Sequence, residues 1–110
     1  MAGTFELKAA AGGQFMWNLK AGNHEVILTS ELYKAKDSAE NGIRSVRDNA
    51  QNEGQYERKT AKDGQFYFTL LAKNHQVIGK SEMYKTEASR DKGIQSVKTH
   101  APGAVTKDLT

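Results

Sequence analysis

Cysteine is absent from this chain, and proline occurs once, at Pro102. Without cysteine there is no disulfide framework and no thiolate metal site, a composition compatible with a reducing compartment. Histidine is scarce as well. His24, His75 and His100 include no pair at the HxxxH spacing of a helical metal site, so neither a metal nor a cofactor is expected. No glycine-rich loop carrying a Lys-Ser or Lys-Thr pair opens a helix, which argues against phosphate binding. No stretch approaches the ~18 apolar residues that span a bilayer. Met1 to Lys8 lack the basic-then-apolar order of a signal peptide. The expectation is a cytoplasmic protein with no membrane contact. Charge of one sign is lacking too: 16 basic and 13 acidic residues are interspersed and leave a net +3. That is a mild attraction to polyanions combined with ordinary solubility.

What the chain does have is an internal duplication. Ala21-Gly22-Asn23-His24-Glu25-Val26-Ile27-Leu28-Thr29-Ser30-Glu31-Leu32-Tyr33 returns as Ala72-Lys73-Asn74-His75-Gln76-Val77-Ile78-Gly79-Lys80-Ser81-Glu82-Met83-Tyr84. The offset of about 51 residues holds without a gap from Phe5/Tyr56 to Ala50/Ala101, and roughly half of the paired positions are identical. At 110 residues the chain is a single domain of two repeats, about 1–54 and 55–110. A repeat of about 50 residues is marginal alone, so the two must share one core.

Hydrophobic periodicity places the elements. Phe5-Glu6-Leu7-Lys8 alternates as a half-buried strand, and its counterpart Tyr56-Glu57-Arg58-Lys59 puts Arg58 where Leu7 stands, which predicts an edge. Ala11-Gly12-Gly13 and Lys62-Asp63-Gly64 are turn chemistry. Phe15, Trp17, Leu19 and Ala21 then share one face of a strand, repeated as Phe66, Phe68, Leu70 and Ala72. Gly22-Asn23 and Lys73-Asn74 read as hairpin turns, and His24 and His75 stand where glycine is usual, histidine being among the better non-glycine residues at positive φ. From Ser38 the period becomes helical: Ala39, Ile43, Val46 and Ala50 recur as Arg90, Ile94, Val97 and Ala101. Beside that stripe runs a small one, Ser38, Gly42 and Ser45, repeated as Ser89, Gly93 and Ser96. Glycine inside a helix costs ~1 kcal/mol against alanine, so a close approach is expected there. Thr86 can cap the second helix and Ala35 cannot cap the first. Pro102-Gly103 ends the second helix, and a short strand follows at Ala104-Val105-Thr106. The fold class is α+β: two tandem β-β-β-α(-β) repeats share one antiparallel sheet, with both helices on the aromatic face. Phe15, Trp17, Leu19, Phe66, Phe68, Leu70, Ile43, Val46, Ile94 and Val97 are the expected core, so Phe66→Ala should cost ~3–5 kcal/mol.

The repeated phrase F-x-x-x-L-x-A-x-N-H-x-V-I-x-x-S-E-x-Y, followed by S-x-x-x-G-I-x-S-V, resembles the YegP-like family of small bacterial proteins. The resemblance covers nearly the whole chain, including the tail around Val105-Thr106-Lys107-Asp108. It implies tandem β-β-β-α-β units in one sheet, with the last strands exchanged between units. It brings no catalytic residues, and the commoner family turn is Asn-Gly, from which His24 and His75 depart.

Asn23, His24, Glu31 and Tyr33, with their counterparts Asn74, His75, Glu82 and Tyr84, are the candidate interaction residues. They recur in loops together with Ser30 and Ser81, and repeated charged and aromatic loop residues are a functional hint. The same types could make an acid–base site, but His24 and Ser30 lie at opposite ends of a strand, roughly 20 Å apart. The structural alternative has histidine at a turn tip, Ser-Glu ending a strand, and tyrosine leaning over the sheet edge with its hydroxyl in water. No enzyme is expected. The favoured reading is a protein-interaction or structural module presenting its reverse sheet face or an edge. The alternative is a weak single-stranded nucleic-acid binder using Tyr67 with Lys20, Lys73 and Lys80. A monomer or weak homodimer is expected, and any site should combine both copies near their pseudo-twofold axis. If the copies share a core, a fragment of residues 1–54 will be unfolded, or will fold only as a dimer replacing the missing copy. Light scattering and amide dispersion check this: a well-dispersed monomeric fragment would mean independent domains.

Overall fold

The computed structural model describes residues 3–110. Seven strands and two helices follow in the order β1 (Thr4–Ala10), β2 (Gln14–Lys20), β3 (Val26–Thr29), α1 (Lys36–Asn49), β4 (Tyr56–Thr60), β5 (Phe66–Leu71), β6 (Val77–Lys80), α2 (Glu87–His100) and β7 (Val105–Asp108). They form one sheet of order β4-β5-β6-β3-β2-β1-β7. The two repeats meet at its centre, where β3 pairs antiparallel with β6 through the equivalent residues Thr29 and Lys80. This pair marks the pseudo-twofold axis. No helix among the described residues is long and apolar enough to cross a membrane.

The sheet is mixed rather than wholly antiparallel, because β7 runs parallel to β1. Local geometry accounts for the direction. Gly3 lies so close to the end of α2 that an added Cβ would come within 2.9 Å of His100 Cβ. Chain leaving α2 there starts beside the beginning of β1 and can only run along it in the same sense. The tail thus crosses to the first repeat, one half of the exchange that the family resemblance implied. Among the described residues no strand covers β4 in return, and the side chains reflect this. Leu7 is fully buried, whereas its counterpart Arg58 pairs with Glu53 and Asp91 at the rim. Arg90, in the place of Ala39, adds a second bond to Asp91. Arg58 above all, with Arg90, holds the Asp91 carboxyl below the usual carboxylate range.

One buried cluster draws on both repeats, including Phe5, Trp17, Leu19, Ile43 and Val46 with Phe68, Leu70, Ile94 and Val97. Leu28 fills it next to the axis, and its counterpart is Gly79, where a Cβ would lie 2.6 Å from Leu28 Cγ. Two leucines cannot occupy that space. Both helices pack on this face. Thr86 Oγ1 accepts from Ser89 N–H at 3.0 Å, while Ala35 gives α1 no side-chain cap. Even so, both helices start at equivalent positions, two residues before the helical period becomes legible at Ser38.

Phe15 and Phe66 depart from the expected core, being only partly buried. Each sits where β2 or β5 begins, beyond the helix stripe, and Phe66 is covered by the Arg90 guanidinium at 5.7 Å from its centroid. The burden passes to Phe68, which is fully buried. Phe68→Ala is therefore expected to cost ~3–5 kcal/mol and Phe66→Ala clearly less, a ranking readable from paired urea denaturation curves.

Candidate functional site

The two hairpin tips are built alike. Ala21 O accepts from His24 N–H and Ala72 O from His75 N–H, both at 2.9 Å. His24 and His75 then take φ of 69° and 67°, the left-handed residue that closes a three-residue hairpin loop. Asn23 Oδ1 accepts from Glu25 N–H, and Asn74 Oδ1 from Gln76 N–H, at 3.1 Å each. The turn accounts for the asparagines, whereas at the left-handed position it needs only a residue that tolerates positive φ, so it does not require histidine.

Beyond β3 the chain leaves the ladder and rejoins it. Ser30 Oγ takes the place of its own carbonyl, accepting from Trp17 N–H at 2.9 Å while donating to Glu31 O. Ser81 does the same for Phe68 N–H and Glu82 O. Glu31-Leu32 and Glu82-Met83 loop out, and pairing resumes at Phe15 with Tyr33 and Phe66 with Tyr84. Each repeat thus carries a bulge whose serine satisfies a buried N–H.

The tyrosine hydroxyls are not free in water at the sheet edge. Each ring turns inward under a helix glycine: a Cβ on Gly42 would lie 2.9 Å from Tyr33 Cζ, and one on Gly93 would lie 2.5 Å from Tyr84 Oη. Gly42 and Gly93 are the close approaches that the small helix stripe anticipated. Burial raises the pKa of both tyrosines, with Glu31 adding to the effect on Tyr33 and Glu82 to that on Tyr84. Trp17 Nε1 is buried beside Gly42 without an aligned acceptor. Of the candidate residues Glu31 and Glu82, with His24 and His75 at the turn tips, are exposed and are left without a structural task for their side chains.

Across the repeat boundary the hairpin tips face the helices. Ala72, Lys73 and Asn74 oppose Asn41, Arg44, Ser45, Asp48 and Asn49 of α1 around an open groove of about 450 Å³. Arg44 donates to Asn41 on the preceding turn, and Asn49 Nδ2 donates to Ser45 O at 2.8 Å. The equivalent groove, about 180 Å³, sets Asn23 and Glu25 against Tyr84, Ser89, Lys92 and Ser96. Asn23 and Tyr84 are thus brought together from different copies. His24 and His75 stay at separate tips and line neither groove. Among the described residues no three His, Asp or Glu side chains converge to hold a metal ion.

Sequence reasoning named the reverse sheet face, with Lys20, Tyr67 and Lys80, but not the register that orders it. In register, Lys107, Glu6, Asn18, Thr29, Lys80, Thr69 and Glu57 form one row across all seven strands. Asn18 Nδ2 donates to Thr29 Oγ1 at 3.0 Å, and Lys8 Nζ to Asn18 Oδ1 at 3.0 Å. Glu6 pairs with Lys20 at 3.1 Å, which chiefly accounts for its lowered pKa. Lys80 Nζ lies 4.9 Å over the Tyr67 ring. Period-2 alternation was the available signal, but only the strand order aligns these residues.

Fold and surfaces together define a tandem-repeat α+β protein with a two-layer body and one open sheet face. The chain belongs to the family described as a domain of unknown function, DUF1508, matched twice, at residues 5–57 and 61–108. It is 61% identical over its whole length to a UPF0339 protein of Bordetella pertussis, covering 98% of that relative. It is 56% identical to the UPF0339 protein YegP of Escherichia coli K12, with complete coverage of both. Among solved structures, the solution structure of yegP from E. coli superposes with a TM-score of 0.95, and covers all of this chain against 95% of its own. That of a UPF0339 protein from Shewanella oneidensis gives 0.94 at 50% identity, covering all of this chain against 93% of its own. These descriptions name no activity.

The tyrosine–glycine packing makes a double-mutant test. Gly93→Ala should destabilise the protein by ~1–3 kcal/mol through overpacking. In a Tyr84→Ala background the penalty should fall by at least ~1 kcal/mol, the helix-propensity gain of ~1 kcal/mol being set against the remaining approach to Phe68 Cε2 at 3.1 Å. Chemical denaturation of the four proteins reads both numbers.

Proposed function

We propose that this protein is a non-enzymatic interaction module that offers the helix-free face of its sheet to an acidic protein surface. The carrying observation is the polar row across the seven strands, in which Asn18 and Thr69 are buried and Lys80, Lys107 and Glu57 exposed, together with an excess of cations on that face. Lys8, Lys20, Lys59, Lys80 and Lys107 stand on that face against Glu6 and Glu57. Such a charged, hydrogen-bonded surface steers and orients a partner without a deep pocket. Non-enzymatic action is supported by the geometry of the repeated polar residues. His24 lies at the opposite end of β3 from Ser30, and the serines and tyrosines are committed to the bulges and helix glycines.

The Lys80–Tyr67 pair supports a second reading, in which a single-stranded nucleic acid lies on the same face. Tyr67 is the one aromatic there among the described residues, so it provides a platform for one base where such binders use several. The protein surface is the better fit.

Titrating isotope-labelled protein with a polyglutamate peptide and, separately, an oligothymidylate tests the reading. The peptide should shift amides around Lys20, Tyr67, Lys80 and Lys107. Lys80→Glu with Lys107→Glu should weaken its binding about ten-fold, which is ~1.4 kcal/mol. Stronger, steeply salt-dependent shifts with the oligonucleotide would favour the second reading. Shifts confined to the grooves would sink both.

A further inference from the structure

We propose that β7 is a self-complementary edge, and that two copies of this chain associate by pairing their β7 strands antiparallel about Lys107. The backbone decides which groups are available. Leu109 N–H donates to Leu7 O at 2.8 Å, so the odd-numbered residues of β7 turn their peptide groups toward β1. Backbone groups alternate along a strand, so the N–H and C=O of Thr106 and Asp108 point outward. All four residues of β7 are exposed. Centring the pair on Lys107 sets Thr106 of one copy against Asp108 of the other, twice, which satisfies four outward hydrogen bonds.

The side chains select this register. Val105 and Leu109 are 64% and 48% exposed, and they are half of the large hydrophobic residues exposed on the described surface. They project to the same side of the strand, four residues apart, so the pairing brings Val105 of each copy against Leu109 of the other. Centring on Thr106 instead would oppose Val105 to Lys107 and leave Leu109 outside. The cost of the favoured register is the approach of the two Lys107 side chains on a solvated face, which added salt relieves.

The other edge of the sheet is guarded. On β4, Arg58 is tied to Glu53 and Asp91, and Lys59 to Glu57. Charged edge residues of this kind discourage strand addition. Assembly therefore closes as a twofold dimer instead of continuing as a filament. Because the twofold axis runs normal to the sheet, both helix-free faces point the same way, giving a surface of doubled area. So few paired residues make a weak dimer.

Sedimentation equilibrium from about 20 µM to about 1 mM tests the proposal, across the range in which small interfaces associate. The unmodified chain should rise toward twice the monomer mass, more so at higher salt, and the Thr106 and Asp108 amides should gain exchange protection with concentration. Thr106→Pro removes an outward donor while sparing the β1 ladder, and should raise the dissociation constant at least about ten-fold with an unchanged amide spectrum. Val105→Lys with Leu109→Lys should do the same through the side chains, and decides the matter if the proline variant misfolds. A constant monomer mass across the range, or a dimer that persists in the lysine variant, would overturn the proposal.

Discussion

The join between β3 and β6 is the constraint on which the rest depends. A duplicated strand that pairs with its own copy brings equivalent positions together at the axis, here Thr29 and Lys80. Identical side chains cannot both fill the space beside such an axis if one already fills it. The chain resolves this with Leu28 on one side and Gly79 on the other. This divergence lets the two repeats close over one core, and close packing makes it sensitive to any added atom.

From that centre the asymmetry grows outward. The tail covers β1 and leaves β4 bare, and the paired positions diverge to suit. Phe5 becomes Tyr56, whose hydroxyl donates to Ala50 O at 2.8 Å, and burial holds its pKa well above the usual phenol range. One relationship is nevertheless kept at both ends: Arg47 lies over the Phe5 ring and Lys98 over Tyr56. Even the cross-repeat grooves differ, because Arg44 and Asp48 of the larger one correspond to Gln95 and Thr99 in the other copy. A twofold fold thus presents surfaces that are not twofold.

The repeated polar residues change meaning in this light. Recurrence of asparagine, serine and tyrosine follows from two turns, two bulges and two helix glycines. Recurrence therefore carries little information about ligand here, and divergence on the open face and at the two edges carries more. Edge strands are where strand addition is either invited or prevented, and here β4 exposes charged residues and no apolar one, whereas β7 exposes Val105 beside Lys107 and Asp108.

Much of this was legible in the residues themselves. Alternation and the helical stripe depend on local geometry, so strand faces, helix faces, the turns at His24 and His75 and the Thr86 cap could be read directly. The Arg58-for-Leu7 exchange even marked the edge, since an arginine is rarely placed where a core must close. The direction of β7 was not legible, because it follows from where α2 ends relative to β1. Nor were the half-burial of Phe15 and Phe66, the inward turn of Tyr33 and Tyr84, or the row from Lys107 to Glu57. Each of those depends on which residues, distant along the chain, become neighbours once the strands are ordered. Local pattern determined the elements of this protein, and the shared core alone decided what lies beside what.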